Sequence, residues 1–88
     1  MSSYRRVPAV ERALAGGRRY VQPVGATTPT ELGGSAPTIW DILARTGDAT
    51  QLRAIVQRTF DDTPSVIAEG TRLAIEQLLD AGLIEVDP

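Results

Sequence analysis

Few side chains of this 88-residue chain could carry out a reaction. It has no Cys, which excludes disulfides and thiol catalysis, and no His, the commonest general base and metal ligand. The remaining candidates are Ser35, which follows two glycines, and the adjacent carboxylates Asp61 and Asp62. None of these lies in a nucleophile–base arrangement. We therefore expect no enzymatic activity, no cofactor and no metal site.

Each candidate also has a structural explanation. Ser35 precedes an apolar-periodic run and fits a helix cap, and Asp61 and Asp62 precede Thr63 and Pro64, where acids stabilise the positive end of a helix dipole. The segment that ends at Ser35 also resembles the serine loop of carrier proteins, in which the serine bears a phosphopantetheine arm. Carriers usually have one more residue in this loop and a long helix before it. The cap is the favoured interpretation, and a carrier is an alternative.

Charge is divided unevenly along the chain. Residues 1–34 contain five Arg and two Glu, a net charge of +3, whereas residues 35–88 contain four Arg and nine acids, a net charge of −5. Nucleic-acid-binding domains usually carry a basic stripe on the element that enters the groove. The acidic half here is the one in which we predict helices. A winged-helix DNA-binding regulator is therefore only an alternative, and we expect no nucleic-acid partner.

Length and composition predict one small domain. Hydrophobic residues make up 42% and charged residues 23% of the chain, which is ordinary for a folded soluble protein. No apolar run approaches the roughly 18 residues of a membrane span, and the N-terminus lacks the apolar core of a signal peptide. We expect a cytoplasmic protein with no membrane partner.

The first third of the chain predicts a tail followed by a β-hairpin. Residues 1–9 are polar and basic at their start, and we predict a flexible tail before a domain over residues 10–88. Strands are predicted over residues 10–15 and 18–22, and Ala-Leu-Ala over 13–15 fits a helical turn equally well. Gly16 and Gly17 lie between them, and glycines at both central positions of a hairpin turn can adopt positive φ.

A third strand is predicted over residues 27–32. This run is rich in threonine but contains Pro29. Because proline cannot donate a hydrogen bond to a neighbouring strand, the run is expected at the edge of the sheet. Gly33 and Gly34 then end this β half of the chain.

Three helices are predicted in the remaining half, because each apolar-periodic run follows a capping residue. They run from Ser35 to about Arg45 before Gly47, from a cap at Asp48 or Thr50 to about Phe60, and from Thr63 to about Ala81, with Gly82 as terminator. The apolar segment that begins at Leu83 is expected to fold back on them.

The third predicted helix is apolar or small over most of its circumference. Its charged residues fall within about 80° at 100° per residue: Glu69, Arg72, Glu76 and Asp80. An ordinary surface helix buries an apolar stripe of about 100°. This helix is therefore either embedded on two sides by its own fold or lines a groove for a partner.

Residues 10–86 resemble the PqqD-like family, the recognition elements of ribosomally made, modified peptides such as lasso peptides. The resemblance is carried by three segments: Gly-Gly-Arg-Arg-Tyr-Val over 16–21, Leu-Gly-Gly-Ser-Ala-Pro-Thr-Ile-Trp-Asp-Ile-Leu over 32–43, and Leu-Leu-Asp-Ala-Gly-Leu-Ile over 78–84. It implies an α+β, winged-helix-like fold in which a three-stranded antiparallel sheet is followed by three helices. It also implies a non-catalytic protein. An exposed edge strand can pair with a second copy as readily as with a peptide, so we expect either a monomer or a weak homodimer.

In this family the leader segment of a precursor peptide docks as an added strand on the third strand, in a groove walled by the third helix. The domain then presents the peptide to a modifying enzyme or a leader protease. Carried over by position, the resemblance implies a docking edge formed by Thr28, Pro29, Thr30, Glu31 and Leu32. It implies a groove wall formed by Val66, Gly70, Leu73 and Ala74.

Overall fold

The computed structural model describes residues 3–87 and has an α+β architecture. Its elements in chain order are β1 Ser3–Arg6, β2 Ala9–Ala13, β3 Arg19–Pro23, β4 Thr30–Leu32, α1 Ala36–Leu43, α2 Ala49–Thr59, α3 Pro64–Asp80 and β5 Ile84–Asp87. Strands β2, β3 and β4 form an antiparallel sheet in that order, and β1 pairs antiparallel with β5. The predicted class, with a three-stranded sheet followed by three helices, is confirmed. No helix within the described range is long and apolar enough to cross a bilayer.

The predicted flexible tail is wrong for Ser3–Arg6, which form β1. This strand pairs with β5, at the opposite end of the sequence. On its other side, Tyr4 N–H donates to the Gly47 carbonyl at 2.7 Å. The Arg6 guanidinium lies 3.7 Å from the centroid of the Trp40 ring, so the strand is held against the core by a cation–π contact as well. The first two residues of the tail prediction lie outside the described range.

The hairpin prediction is confirmed, but β2 ends at Ala13 and is followed by a 3-10 turn over Ala15–Gly17. The third strand is shorter than predicted. Gly16 and Gly17 lie at the tip between β2 and β3 with φ of 75° and 77°, where a side chain would be strained. Strand β4 begins only at Thr30, not at residue 27. Pro29 directly precedes it, and Thr27 and Thr28 belong to no strand.

The caps of α2 and α3 agree with the sequence, and that of α1 does not. Asp48 accepts the Gln51 N–H at 2.9 Å, and Thr63 accepts the Val66 N–H at 3.4 Å. Ser35, which we expected to cap α1, makes no such bond. Its backbone is helical, not extended as at a usual N-cap, and its hydroxyl donates to the Gly70 carbonyl instead.

The core lies between the three-stranded sheet and the helices. Val21 and Leu32 from the sheet, Trp40 from α1 and Leu78 from α3 are all fully buried. Burial of such a side chain stabilises the fold by roughly 1.5–3 kcal/mol. Because Leu32 alternates with Glu31 on β4, burial of Leu32 fixes the position of this strand against the helices.

Charged side chains attach the hairpin to α1. Arg19 of β3 lies 2.5 Å from the Asp41 carboxylate and 3.5 Å from Glu11, and Glu11 in turn lies 2.9 Å from Arg6. The hydrogen bond to Asp41 raises the pKa of Arg19. These bonds join β1, β2, β3 and α1 at the rim of the core.

Candidate functional site: a groove between β4 and α3

The hydrogen bonds of the hairpin fix the direction in which each β3 residue faces. Leu14 N–H donates to the Arg18 carbonyl, and Val24 N–H donates to the Pro8 carbonyl, both at 2.9 Å. Bonded and non-bonded pairs alternate along an antiparallel ladder. The even-numbered residues of β3 therefore bond to β2, and its odd-numbered residues face β4.

Strand β4 is accordingly bonded to β3 through Thr30 and Leu32, which lie opposite odd-numbered β3 residues. The backbone of Glu31 points away from β3, towards the open edge of the sheet. By the same alternation Pro29 faces this edge too, but it has no N–H to offer. Among the residues of β4, Glu31 alone presents a backbone donor outward.

The docking edge implied by the resemblance is therefore shorter in the structure. Thr28 and Pro29 precede the strand, and the N–H of Thr30 faces β3. The side chain of Leu32 is fully buried in the core. Of the five residues only Glu31 presents its backbone to a docking strand, because three residues of one strand cannot all face the same edge.

The four implied wall residues lie along one groove on α3. A recess of about 170 Å³ is lined by Val66 and Gly70, and an adjoining recess of about 210 Å³ by Gly70, Leu73 and Ala74. Both recesses include Ser35 from the turn between β4 and α1. Val66 and Leu73 are each 52% exposed, whereas Ala74 is buried. The structure thus brings the predicted wall together and leaves its two large side chains accessible.

Gly70 lies at the centre of this groove, where the two recesses meet. The Ser35 hydroxyl donates to the Gly70 carbonyl at 3.4 Å, and a Cβ added at Gly70 would lie 3.9 Å from that hydroxyl, an ordinary contact. Glycine within a helix costs about 1 kcal/mol relative to alanine. Because no neighbouring atom requires glycine here, the effect of its missing side chain is to keep the groove open.

Sequence reasoning did not identify two further residues of this site. Gln77 donates from its side-chain amide to the outward Glu31 carbonyl at 3.5 Å and so links α3 to β4. Phe60 lines the far end of the groove beside Asp62. No sequence pattern points to Gln77, because it follows Glu76 on a helix face that reads as ordinary surface. The aromatic side chain of Phe60, directly after the last turn of α2, could have indicated a contact with the third helix.

The carboxylates considered for chemistry take structural positions. Asp62 accepts the N–H of Thr63 at 2.7 Å and lines the end of the groove. Asp61 is exposed. Between residues 3 and 87, no three His, Cys, Asp or Glu side chains converge in a way that could hold a metal ion.

A separate cleft of about 370 Å³ lies between α2 and α3 and is lined by none of the implied site residues. Leu52, Val56 and Ile75 line it, together with the charged side chains of Arg53 and Arg72. Arg72 makes ion pairs with its helix neighbours three residues before and four residues after it. Three charged side chains of α3, Glu69, Arg72 and Glu76, are thus paired with one another.

The pairing of Arg72 with Glu69 can be tested by titrating the Glu69 carboxyl. The hydrogen bond from Arg72 lowers the pKa of the Glu69 carboxyl below its ordinary value. Any stability that it contributes is therefore present above the unfolded pKa and is lost as the pH falls through the folded value. We expect Arg72→Ala to raise the pKa of the Glu69 carboxyl towards its ordinary value, as measured by a carbon-detected NMR titration. Arg53→Ala, the matched control on α2, should leave it unchanged, and an equal shift in both variants would contradict the assignment.

Comparison with known proteins gives no match: no protein-family model, no curated protein and no solved structure aligns with this chain. The fold described above therefore comes from the structure alone. Two structural features bear on its function, the open edge at Glu31 and the groove beside it, together with the family resemblance of the sequence.

Proposed function

We propose that this chain binds the leader segment of a ribosomally made precursor peptide as an added strand on β4 and presents it to a modifying enzyme or leader protease. The observation that carries the proposal is the outward backbone of Glu31 beside the groove of α3. In strand addition, main-chain hydrogen bonds supply affinity, and pockets for alternate side chains supply selectivity. Both requirements are present within one small surface.

The docked peptide would bond to Glu31 in both directions. Its carbonyl would accept the Glu31 N–H, and its own N–H would donate to the Glu31 carbonyl in place of the Gln77 amide. Every second side chain of the peptide would then point into the groove, towards the exposed parts of Val66 and Leu73. The space above Gly70 admits a large apolar side chain, whose burial would add to the affinity.

Charge supports a peptide rather than a nucleic acid as the ligand. Asp62 lines the end of the groove, which favours a leader segment that is neutral or basic there. The exposed charges of α3 sum to −2, so this helix cannot supply the counterion release that drives DNA binding. No observation favours the carrier alternative, since the Ser35 hydroxyl is directed to the Gly70 carbonyl.

In this proposal the chain is a non-catalytic binding domain, without cofactor or metal. It acts in the cytoplasm, where a ribosomally made precursor is available, as a monomer or weak homodimer. A processed or modified precursor appearing in mass spectra when only the purified chain is present would contradict the non-catalytic part of the proposal.

The edge itself is tested by Glu31→Pro, which removes the outward donor of β4 without removing a bond to β3. We expect the dissociation constant for a synthetic leader peptide, taken from a precursor encoded beside this chain, to rise roughly 2- to 12-fold. This corresponds to about 0.5–1.5 kcal/mol for one hydrogen bond. Titration calorimetry measures the change, and circular dichroism checks the fold.

Two controls separate the backbone from the side chain and from the fold. Glu31→Gln keeps the N–H and should bind the leader within about twofold of the parent, because the exposed ion pair with Arg18 contributes little. Thr30→Pro removes a donor that faces β3 and should lower the free energy of unfolding instead. If Glu31→Pro folds and binds the leader as the parent does, β4 is not the docking edge.

A further inference from the structure

The second sheet also has an open edge, formed by β5. Val7 N–H donates to the Leu83 carbonyl at 2.9 Å, which fixes the alternation of this antiparallel pair. The odd-numbered residues of β5 bond to β1, and the backbones of Ile84 and Val86 face away from it. The other side of β1 is already covered, since Tyr4 N–H bonds to the Gly47 carbonyl.

This edge offers an accessible backbone at one residue, as the edge of β4 does. Val86, which is 50% exposed, presents one N–H and one carbonyl that have no hydrogen-bond partner among residues 3–87, whereas Ile84 is 3% exposed and its backbone is covered by the fold. Strand β4 presents only Glu31, whose carbonyl already accepts from Gln77. Strand β5 contains no proline in the described range, so none of its backbone donors is missing.

The two faces of β5 differ in chemistry. On the side of the core, Ile84 is buried, but Val86 is 50% exposed, although it lies next to that core. On the opposite side lie Glu85 and Asp87, with side chains 55% and 42% exposed. A strand that paired with β5 would therefore meet an apolar residue on one face and two carboxylates on the other.

Charge excludes some occupants of this edge. Arg5 on β1 bonds to Glu85 and lies 3.9 Å from Asp87, so one guanidinium faces two carboxylates and a net charge of −1 remains. Antiparallel pairing of β5 with β5 of a second copy would place carboxylates of both chains opposite one another, which is destabilising. A strand with basic residues on that face would instead complement it.

We infer that β5 is a second strand-addition edge, which binds an extended segment of a partner protein with alternating apolar and basic residues. The apolar side chains would cover Val86, and the basic ones would pair with Glu85 and Asp87. This site is separate from the leader groove on β4 and does not depend on it. A domain with both edges could hold a peptide on one sheet and a partner protein on the other.

The probe is an acetylated and amidated octapeptide of alternating valine and arginine, titrated into the ¹⁵N-labelled protein. We expect the amide signal of Val86 to shift and its hydrogen exchange to slow. Binding should weaken as salt is raised, because exposed charges are screened. A valine–glutamate octapeptide of the same length should bind at least about tenfold more weakly, because it faces like charges.

Variants separate the backbone from the charges. Val86→Pro removes an outward donor that has no internal partner, so the fold should be kept and the dissociation constant of the valine–arginine peptide should rise roughly 2- to 12-fold. Asp87→Asn, which leaves the backbone intact, should weaken binding and reduce its salt dependence. It gives an independent test if Val86→Pro fails to fold.

The two proposed strand-addition sites can be tested independently of each other. Glu31→Pro should leave binding of the valine–arginine peptide unchanged, and Val86→Pro should leave leader binding unchanged. The inference is overturned if the amides of β5 do not shift, or if the valine–glutamate peptide binds equally well. A dimer in sedimentation equilibrium that Val86→Pro abolishes would also overturn it, because the edge would then serve a second copy.

Discussion

Gly47→Ala is expected to lower the free energy of unfolding by about 3 kcal/mol or more, the largest effect of a single methyl group in this chain. A Cβ at Gly47 would lie 1.9 Å from the carbonyl oxygen of Tyr4 and 3.1 Å from its carbonyl carbon. These are backbone atoms of β1, held in place by the pairing with β5 and by the Tyr4–Gly47 hydrogen bond. The methyl group fits only if β1 moves away.

The matched control is Gly33→Ala. A Cβ at Gly33 meets no atom within 4 Å, and the residue is not in the left-handed region. The substitution has the same effect on the unfolded chain, so we expect it to be neutral or to stabilise by up to about 1 kcal/mol. Urea denaturation followed by circular dichroism compares the two variants. Equal midpoints would show that β1 does not lie against Gly47.

Local features of the fold could be predicted from the sequence because their causes lie within a few residues. Asp48 and Thr63 cap their helices through bonds to residues three positions away, and Gly82 takes a φ of 71° at the end of α3. The positive φ of Gly16 and Gly17 could be predicted in the same way, since glycine adopts this conformation without steric cost.

Contacts between distant segments could not be predicted in this way. Strand β1 has weak alternation of its own and exists because Ile84–Asp87 pair with it across the length of the chain. From the sequence, Gly47 is interpreted as a helix terminator, but its φ is not in the left-handed region. Glycine is required there because the backbone of Tyr4 lies too close for a side chain. Neither contact leaves a pattern in the neighbouring sequence.

The outward direction of Glu31 could have been found in the sequence. Proline is tolerated on an edge strand where its missing N–H would face away from the sheet. If Pro29 faces outward, Glu31 must do so too, and Thr30 and Leu32 must face β3. The groove wall was predictable from the small and apolar residues of α3. The hydrogen bond of the Ser35 hydroxyl could not be predicted, because its acceptor Gly70 lies on α3, which comes near only when α1 packs against α3.

The two open edges differ in what they can recognise. The edge at Glu31 has one outward backbone residue and lies beside the groove of α3, so its selectivity should come from side chains in the groove. The edge of β5 has one exposed valine and a charged face, so its selectivity should come from charge. Substitutions in the groove should therefore affect leader binding more than substitutions at the backbone of β4.

Leu73→Asp is expected to weaken leader binding by about 1–3 kcal/mol, roughly a 5- to 150-fold rise in the dissociation constant. Leu73 is 52% exposed in the free protein and lines the recess between Gly70 and Gln77. A docked peptide would cover this position, so the new carboxylate would lose its water without gaining a partner. The fold should be retained, since the side chain already contacts solvent.

Val24→Asp is the matched control, because Val24 is 70% exposed and lies away from the groove. It follows β3 at the open end of the hairpin, where its N–H donates to the Pro8 carbonyl. It adds the same charge to the protein and should leave the affinity for the leader within about twofold of the parent. Titration calorimetry of both variants, with circular dichroism for the fold, measures the difference. If Leu73→Asp unfolds the protein, Leu73 belongs to the core. If both variants bind the leader as the parent does, the peptide does not lie along α3, and the docking site has to be sought at another edge.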